Sequence, residues 1–372
     1  MINVLHITMS LGPGGRREAI KNLLVHTSPE QFQTFLCCLD GYQCSPGFMD
    51  ALCMNRCFDL RRSGKTFGAA LSALRRVIKE NRIQVLHVHD GASQVFGCLA
   101  SLCIKGCRVV YTYHRSDNID TGTWKDVVRN RLLHCITSKT VTASIARKRY
   151  YSARNRIPLD AIQTIYYGLD TDYWCGRNRI PADRRRELGI GSDVDIVGTA
   201  ANLIERKAVC DLIEAFAALP CDLRATVLVI AGDGPQRGML ETLCRERGIS
   251  DRVFFVGQQS DMQSWYALYD VFVLTSLEEA FGLVYAEALL AGTPVIGSDV
   301  GGVPEIIEDG VTGVLVPPRD HGRLSSAIGM LLRNPDIGCR MAAAGREKAV
   351  RLFSLGRMVK DYETVYQMVC SA

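Results

Sequence analysis

No apolar stretch in this 372-residue chain approaches the roughly twenty residues that a membrane-spanning helix needs, so no transmembrane span is expected. The opening residues, MINVLHITMSLGPGG, lack a basic leader ahead of a long apolar core and read as a first strand running into a glycine loop. Fifteen cysteines are present, an odd number, yet no two form a Cys-x-x-Cys pair. Most sit in apolar runs such as Leu36-Cys37-Cys38-Leu39, which excludes a zinc site or disulfide frame and suits small buried thiols in a reducing cytoplasm. A nicotinamide fingerprint is incomplete, because Gly12-x-Gly14 with Gly15 does not extend to Gly-x-Gly-x-x-Gly and position 17 is Arg. The two Asp-x-Asp pairs, Asp170 with Asp172 and Asp193 with Asp195, follow no strand; they are expected to be solvated acids, and no metal site is expected.

What is present points to two α/β domains. The chain is long for a single core, and its 47% hydrophobic content can fill two. Apolar runs at Asn3–Thr8, Thr34–Leu39, Gln84–Val88 and Arg108–Tyr113 predict strands, with helices at Phe67–Lys79 and Ala92–Cys103 between them. The second half repeats the alternation, with strands at Ile196–Ala200, Thr226–Ala231, Val253–Val256, Val271–Leu274, Pro294–Gly297 and Gly313–Val316 and helices at Val209–Leu219 and Gln236–Arg247. Strand and helix in alternation imply parallel sheets, hence two doubly wound domains facing across a cleft. The expected division is 1–172, a polar linker at 173–192, and 193–354.

The most informative segment is TSLEEAFGLVYAEALLAGTPVIGSDVGG, from Thr275 to Gly302. Here Glu279 stands at the mouth of a strand, Ala280-Phe281-Gly282 form a small turn, and Glu287 lies on the helix that follows. A helix N-terminus holds unpaired N–H groups and a partial positive charge, so a glycine turn leading into one suits an anion. Carboxylates beside such a cradle would repel a bare phosphate and must serve hydroxyl groups instead. Together they read as a nucleotide-sugar pocket: amides for the diphosphate, Glu279 for the sugar, Glu287 for the ribose. A solvated pair of glutamates on a loop and helix is the plainer alternative.

These residues resemble retaining glycosyltransferase family 4, which has the GT-B architecture. Its Glu-x7-Glu signature is matched at Glu279 and Glu287, its Gly-Thr-Pro-Val strand entry at Gly292 to Val295, and its Gly-Gly-x-x-Glu turn at Gly301 to Glu305. Asn202, Leu203 and Lys207 and the AGDGP run Ala231 to Pro235 also match, and weaker matches are Gly14-Gly15, His87-x-His89, His114 and GLDTDYW from Gly168 to Trp174. The resemblance implies transfer of a sugar from a nucleoside-diphosphate donor, UDP- or GDP-linked, to a hydroxyl acceptor without a metal or other cofactor. It implies catalytic roles for Glu279, Lys207 and His114, and donor contacts from Gly15, Asn202, Arg206, Phe281, Gly282, Leu283 and Glu287. Gly14, Arg16 and His89 would lie on the acceptor side. The family often has Arg where Asn202 stands, which moves phosphate work toward Lys207 and Arg206. Tyr167 occupies the asparagine position of an Asn-Gly-x-Asp hinge signature. A closing helix at about Leu355–Cys370 would cross back onto the first domain.

Charge is uneven. From Lys105 to Asp160 there are twelve Lys/Arg against four Asp, a net +8 where the whole chain is only +5. A basic first domain suits anionic lipid head groups or an anionic acceptor, and equally an ordinary solvated face. Nucleic acid is not expected, since no binding module accompanies the charge. The expected setting is the cytoplasm, peripheral on the inner membrane face, with envelope polysaccharide or lipid-linked glycan as acceptor. Two alternatives stay open: a nucleotide-sugar 2-epimerase or hydrolase on the same architecture, and a non-catalytic nucleotide-binding protein.

Overall fold

The computed structural model describes residues 1–11, 14–41, 56–114, 123–176 and 182–371. The chain divides into two compact units, Met1–Gly168 with Leu355–Ala372, and Leu169–Ser354.

In the first unit seven parallel strands run β1 (Ile2–Thr8), β2 (Phe32–Cys38), β3 (Cys57–Asp59), β4 (Val85–Val88), β5 (Arg108–Tyr113), β6 (Lys139–Thr142) and β7 (Ile162–Thr164). Their order is β3-β2-β1-β4-β5-β6-β7, so the winding direction reverses between β1 and β4. One face packs Leu5, Ile7, Leu86 and Val88 against the helices Phe67–Glu80 and Gly91–Ser101. The opposite face packs Val4, Val85, Val110 and Val141 against Met358, Val359, Tyr362 and Tyr366 of the closing helix Leu355–Ser371. That helix belongs to this unit although it ends the chain; Ser28 N donates to Glu363 Oε1 at 2.7 Å and Arg357 donates to Tyr166 O at 2.6 Å.

The valine face turns polar along each strand. Val4 is followed two and four residues on by His6 and Thr8, Val85 by His87 and His89, and Val110 by Thr112 and His114. Period-two alternation keeps each trio on one side of the sheet. The register pairs His6 with His87, so the polar layer gathers toward the carboxyl ends of the strands.

The second unit has β8 (Ile196–Ala200), β9 (Val227–Ala231), β10 (Val253–Gly257), β11 (Val271–Leu274), β12 (Val295–Ser298) and β13 (Val314–Val316), all parallel in the order β10-β9-β8-β11-β12-β13. The central strands β8, β9, β11 and β12 are buried on both faces and read in the sequence as short apolar runs, as parallel strands do, while the edge strands β10 and β13 are half-buried. The reversal here falls between β8 and β11, and ligands of such sheets bind beyond the carboxyl ends of the strands at that point.

Two expectations need correction. The segment 173–192 is not a free linker where it is described: the helix Thr171–Cys175 is joined to the second unit by Gln263, which donates to Tyr173 O, and by Arg346, which donates to Cys175 O at 2.9 Å. A further helix spans Ala182–Glu187, Arg185 donates to Val194 O at 2.8 Å, and the unit boundary falls at Gly168 and Leu169; residues 177–181 of this segment lie outside the described residues. The cysteines are also less uniformly buried than their apolar settings imply. Cys37, Cys38, Cys98 and Cys244 are buried, whereas Cys103, Cys135, Cys221 and Cys339 are exposed on helices or their ends; all the described cysteines are free thiols.

Candidate active site

In the second unit two loops leave the sheet at the switch point. The loop after β8 carries Asn202, Arg206 and Lys207, and the loop after β11 carries Glu279. Lys207 Nζ donates to Glu279 Oε2, and Ser276 Oγ donates to the same oxygen at 3.2 Å. Both charged side chains are largely out of water, with exposures of 14% and 11%. The backbone ties the loops together as well, through Leu277 N donating to Arg206 O at 2.9 Å and Thr275 Oγ1 donating to Ala208 O at 2.7 Å. Ala208 is held at φ 45°, a left-handed conformation that costs an alanine about 1 kcal/mol and places Lys207 immediately before the helix Val209–Ala217.

The AGDGP run explains how that first loop is backed. A Cβ on Gly232 would lie 1.9 Å from Ala201 O, and one on Gly234 would lie 2.5 Å from Leu203 O. Only glycine permits this approach. Asn202 is exposed at the crest of the loop. Arg206 makes a long contact, 3.5 Å, to Glu278 O, so its guanidinium is partly held by the loop after β11.

The turn ahead of the helix Leu283–Ala291 is shaped by a second close approach. A Cβ on Gly302 would stand 2.7 Å from Ala280 O, while Gly302 N donates to Glu279 O at 3.1 Å. Gly282 is the helix N-cap at φ 96° and offers no side-chain cap; Tyr285 N donates to Gly282 O at 3.0 Å, which leaves the amides of Leu283 and Val284 to be met by something else. Phe281 points the other way; it is 1% exposed and packs edge-on against Phe353 at 5.2 Å. Its contribution to a ligand is therefore through the backbone. Glu287, one turn into the same helix, accepts from Tyr266 Oη at 2.9 Å. Tyr266 is fully buried, and burial beside that carboxylate pushes its phenol well above its ordinary pKa. Nothing in the sequence marks Tyr266 as the partner of Glu287, since 21 residues separate them.

In the first unit Gly14 has φ 129° and caps the helix Gly15–His26, with open space where a Cβ would stand. Gly15 and Arg16 open the first turn of that helix. Asp90, the N-cap of Gly91–Ser101, reaches back across the switch point to accept from Met9 N at 2.7 Å and Thr8 Oγ1 at 3.1 Å. Arg16 lies 3.8 Å from Asp90 and donates to Ser10 O at 3.2 Å, so it does not simply face water. His89 and His114 meet at 3.1 Å. Burial pulls the imidazole of His114 down to about 3, with Arg16 adding to the effect, and pulls His89 well below its ordinary value. Both are neutral at physiological pH.

Among the described residues the grouping able to surround a metal ion is His6, His87 and His89, whose nitrogens lie within 4.8 Å of one another. All of those nitrogens except Nε2 of His6 already have partners. His87 contacts Tyr366 Oη and Thr112 Oγ1, each at 2.7 Å, and His6 Nδ1 contacts His89 Nε2 at 3.0 Å. Of the Asp-x-Asp acids, Asp170 caps the helix Thr171–Cys175 by accepting from Tyr173 N at 3.0 Å, and Asp193 accepts from Ser192 at 2.9 Å.

Two Rossmann-type sheets, each with loops converging at its switch point, and a lysine, two acids and an uncapped helix N-terminus at the second, define a nucleotide-dependent transferase of the GT-B fold. Comparison with known proteins carries this further. Residues 182–348 match the family model described as glycosyl transferases group 1, and residues 52–173 match glycosyltransferase family 4. The chain is 30% identical over 302 residues to N-acetyl-alpha-D-glucosaminyl L-malate synthase of Bacillus anthracis, covering 80% of this chain and 78% of that one. It is 31% identical over 217 residues to a GDP-mannose-dependent alpha-(1-6)-phosphatidylinositol monomannoside mannosyltransferase of Mycobacterium tuberculosis, covering 56% of each. Among solved structures, Anabaena HepE in complex with UDP and glucose superposes with a TM-score of 0.85 at 20% identity, over 99% of this chain and 100% of that one. The chain belongs to glycosyltransferase family 4, and it is a glycosyltransferase; the epimerase, hydrolase and binding-only alternatives give way to that.

Proposed function

We propose that the chain moves a sugar from a UDP- or GDP-linked donor to a hydroxyl of a glycan or lipid-linked acceptor, with retention of anomeric configuration, in the synthesis of envelope polysaccharide or glycolipid. One observation carries this: the buried Lys207–Glu279 pair stands at the switch point of the second sheet, with Glu287 on the helix that follows the same turn. As the glycosidic bond breaks, negative charge builds on the departing diphosphate. Lys207, assisted by Arg206 and the amides of Gly282 and Leu283, would stabilise it in a site with little water. Glu279 would orient the sugar hydroxyls and Glu287 the ribose. The acceptor oxygen bonds to the anomeric carbon on the face the diphosphate leaves, and its proton passes to a phosphate oxygen, so the step balances without a dedicated base or a metal. His114, His89, Gly14, Gly15 and Arg16 would serve the sugar and acceptor from the first unit.

Support for the donor class comes from the relatives: the mycobacterial protein is named for GDP-mannose and the Anabaena structure holds UDP. A thermal-shift screen with UDP, GDP, ADP and their sugars tests it. One nucleotide is expected to raise the melting temperature, because a ligand bound only by the native state stabilises it by mass action. No shift with any of them would contradict the proposal.

Peripheral attachment to an anionic membrane is part of the same reading. Among the described residues no helix is long and apolar enough to cross a membrane. The helix Trp124–Ile136, however, exposes Trp124 (73%), Val128 (47%) and Leu132 (63%) at four-residue spacing, one continuous stripe. Exposed Lys125 and Arg131 lie in the same helix, while Arg129 is taken up by Asp126 at 2.9 Å. An aromatic and two aliphatic side chains with unpaired cations beside them suit the boundary between head groups and acyl chains. The charge available for this is smaller than the sequence count suggests. Arg147 is 2% exposed and packed over Tyr150, and Arg115, Asp117 and Asp120 lie outside the described residues.

A further inference from the structure

His114 has no ring nitrogen to spare. Its Nδ1 stands 2.5 Å from the hydroxyl of Tyr167 and its Nε2 stands 3.1 Å from Nδ1 of His89. The other nitrogen of His89, Nε2, is 3.0 Å from Nδ1 of His6. Three imidazoles and a phenol, from β1, the end of β4, the end of β5 and the segment after β7, thus form one hydrogen-bonded row. Successive ring planes are inclined by only 9°, 28° and 4°, with centroids 5.3, 5.3 and 5.7 Å apart. The contacts therefore lie along the ring planes, where imidazole lone pairs and N–H groups point. At the far end, Nε2 of His6 is buried without a hydrogen-bond partner, in a residue with 0% exposure.

A neutral imidazole has one donor and one acceptor, so fixing one link fixes the direction of the whole row. The rings are neutral: burial draws His6 and His114 each to about 3 and His89 well below its ordinary value. The groups packed around them keep them so. They are His87 from β4, Thr112 from β5, Tyr362 and Tyr366 from the closing helix, and Arg16, itself beside Asp90. If donation ran from Tyr167 toward His6, the row would end in a buried N–H with nothing to receive it. Run the other way, it ends in a bare lone pair, and orphaned buried donors are the rarer and costlier of the two.

We propose that the row runs from His6 to Tyr167, with His6, His89 and His114 all in the Nδ1–H form, and that Tyr167 and His89 are positioning residues that hold His114 in one tautomer and one orientation. Tyr167 is where the hinge signature resembled by this chain has asparagine. The phenol carries its hydroxyl further from the backbone than an asparagine amide does, and the substitution is thereby given a purpose: it supplies the acceptor for His114 Nδ1–H. The kinetic consequence rests on the placement of His114 beside the donor sugar proposed above; the tautomers do not.

The test is a long-range ¹H–¹⁵N correlation spectrum of the whole chain labelled at histidine, assigned with His6→Gln, His89→Gln and His114→Gln. Three rings are expected to show a protonated Nδ1 and an unprotonated Nε2, unchanged between pH 8 and pH 6. Tyr167→Phe keeps the buried ring and removes only the hydroxyl; it is expected to turn His114 to the Nε2–H form, and His89 and His6 with it, and, with the donor identified by the nucleotide screen, to lower kcat about tenfold at little change in donor KM. Altered tautomers with an unaltered rate would support the row while removing His114 from the reaction. An Nε2–H form at His89 or His114 in the unsubstituted protein would overturn the proposal, as would loss of the row's signals on adding one equivalent of Zn²⁺, which would make the cluster a metal site.

Discussion

Lys207 and Glu279 reach each other from the loops after β8 and β11, the two strands between which the second sheet reverses direction, and form an ion pair largely shielded from water. Each is the other's compensation for burial. The pair consequently has a structural role that is separable from its proposed chemistry.

Lys207→Met and Glu279→Leu are each expected to destabilise the chain by about 3 kcal/mol, because each leaves a buried charge unpaired. The double variant is expected to recover most of that loss and none of the activity. Urea unfolding of the three variants, read beside turnover, checks both halves of the statement.

Tyr266→Phe removes the hydroxyl that holds Glu287. A hydrogen bond to a charged acceptor contributes about 1.5–3 kcal/mol, so donor KM is expected to rise roughly tenfold or more with kcat nearly unchanged. Steady-state kinetics over a range of donor concentration measures the split.

The buried histidines make the fold acid-sensitive. In the folded chain His6 and His114 take up a proton only near pH 3, whereas unfolded histidine does so near 6.5. Below about pH 6.5 the unfolded state therefore binds more protons, and stability falls with falling pH by about 1.4 kcal/mol per unit for each such group until pH nears 3. His87 and His89 act in the same direction. Urea midpoints between pH 8 and pH 5 are expected to fall, and His6→Gln is expected to make the dependence shallower by one proton.

Membrane docking through the helix Trp124–Ile136 predicts that the chain sediments with vesicles containing phosphatidylserine and not with neutral ones. Trp124→Ala with Leu132→Ser is expected to reduce the bound fraction several-fold without changing the melting temperature, since both side chains are already in water. Equal binding by this variant would remove the helix from the account.

The central strands of the second unit were legible because they are buried on both faces: β8 and β11 fall where the apolar runs Ile196–Ala200 and Val271–Leu274 place them. The short strands β3, β6 and β7 were not, since CFD, KTVT and IQT hold too few apolar residues to form a run. The glutamates, Lys207 and the glycine turns could be found from spacing and resemblance. Their partners could not. Tyr266 meets Glu287 only once a five-residue helix is packed against Leu283–Ala291, and Tyr167 meets His114 across 53 residues. His6 sits unannounced in an apolar strand, and its meaning appears only when the register sets it beside His87.

The division of labour between the two acids is the centre of the account, and turnover of the identified donor by Glu279→Gln and Glu287→Ala tests it most directly. Glu279→Gln is expected to lower kcat about a hundredfold or more at similar donor KM, and Glu287→Ala to raise donor KM about tenfold or more at similar kcat. Kinetics unchanged in both variants would contradict it.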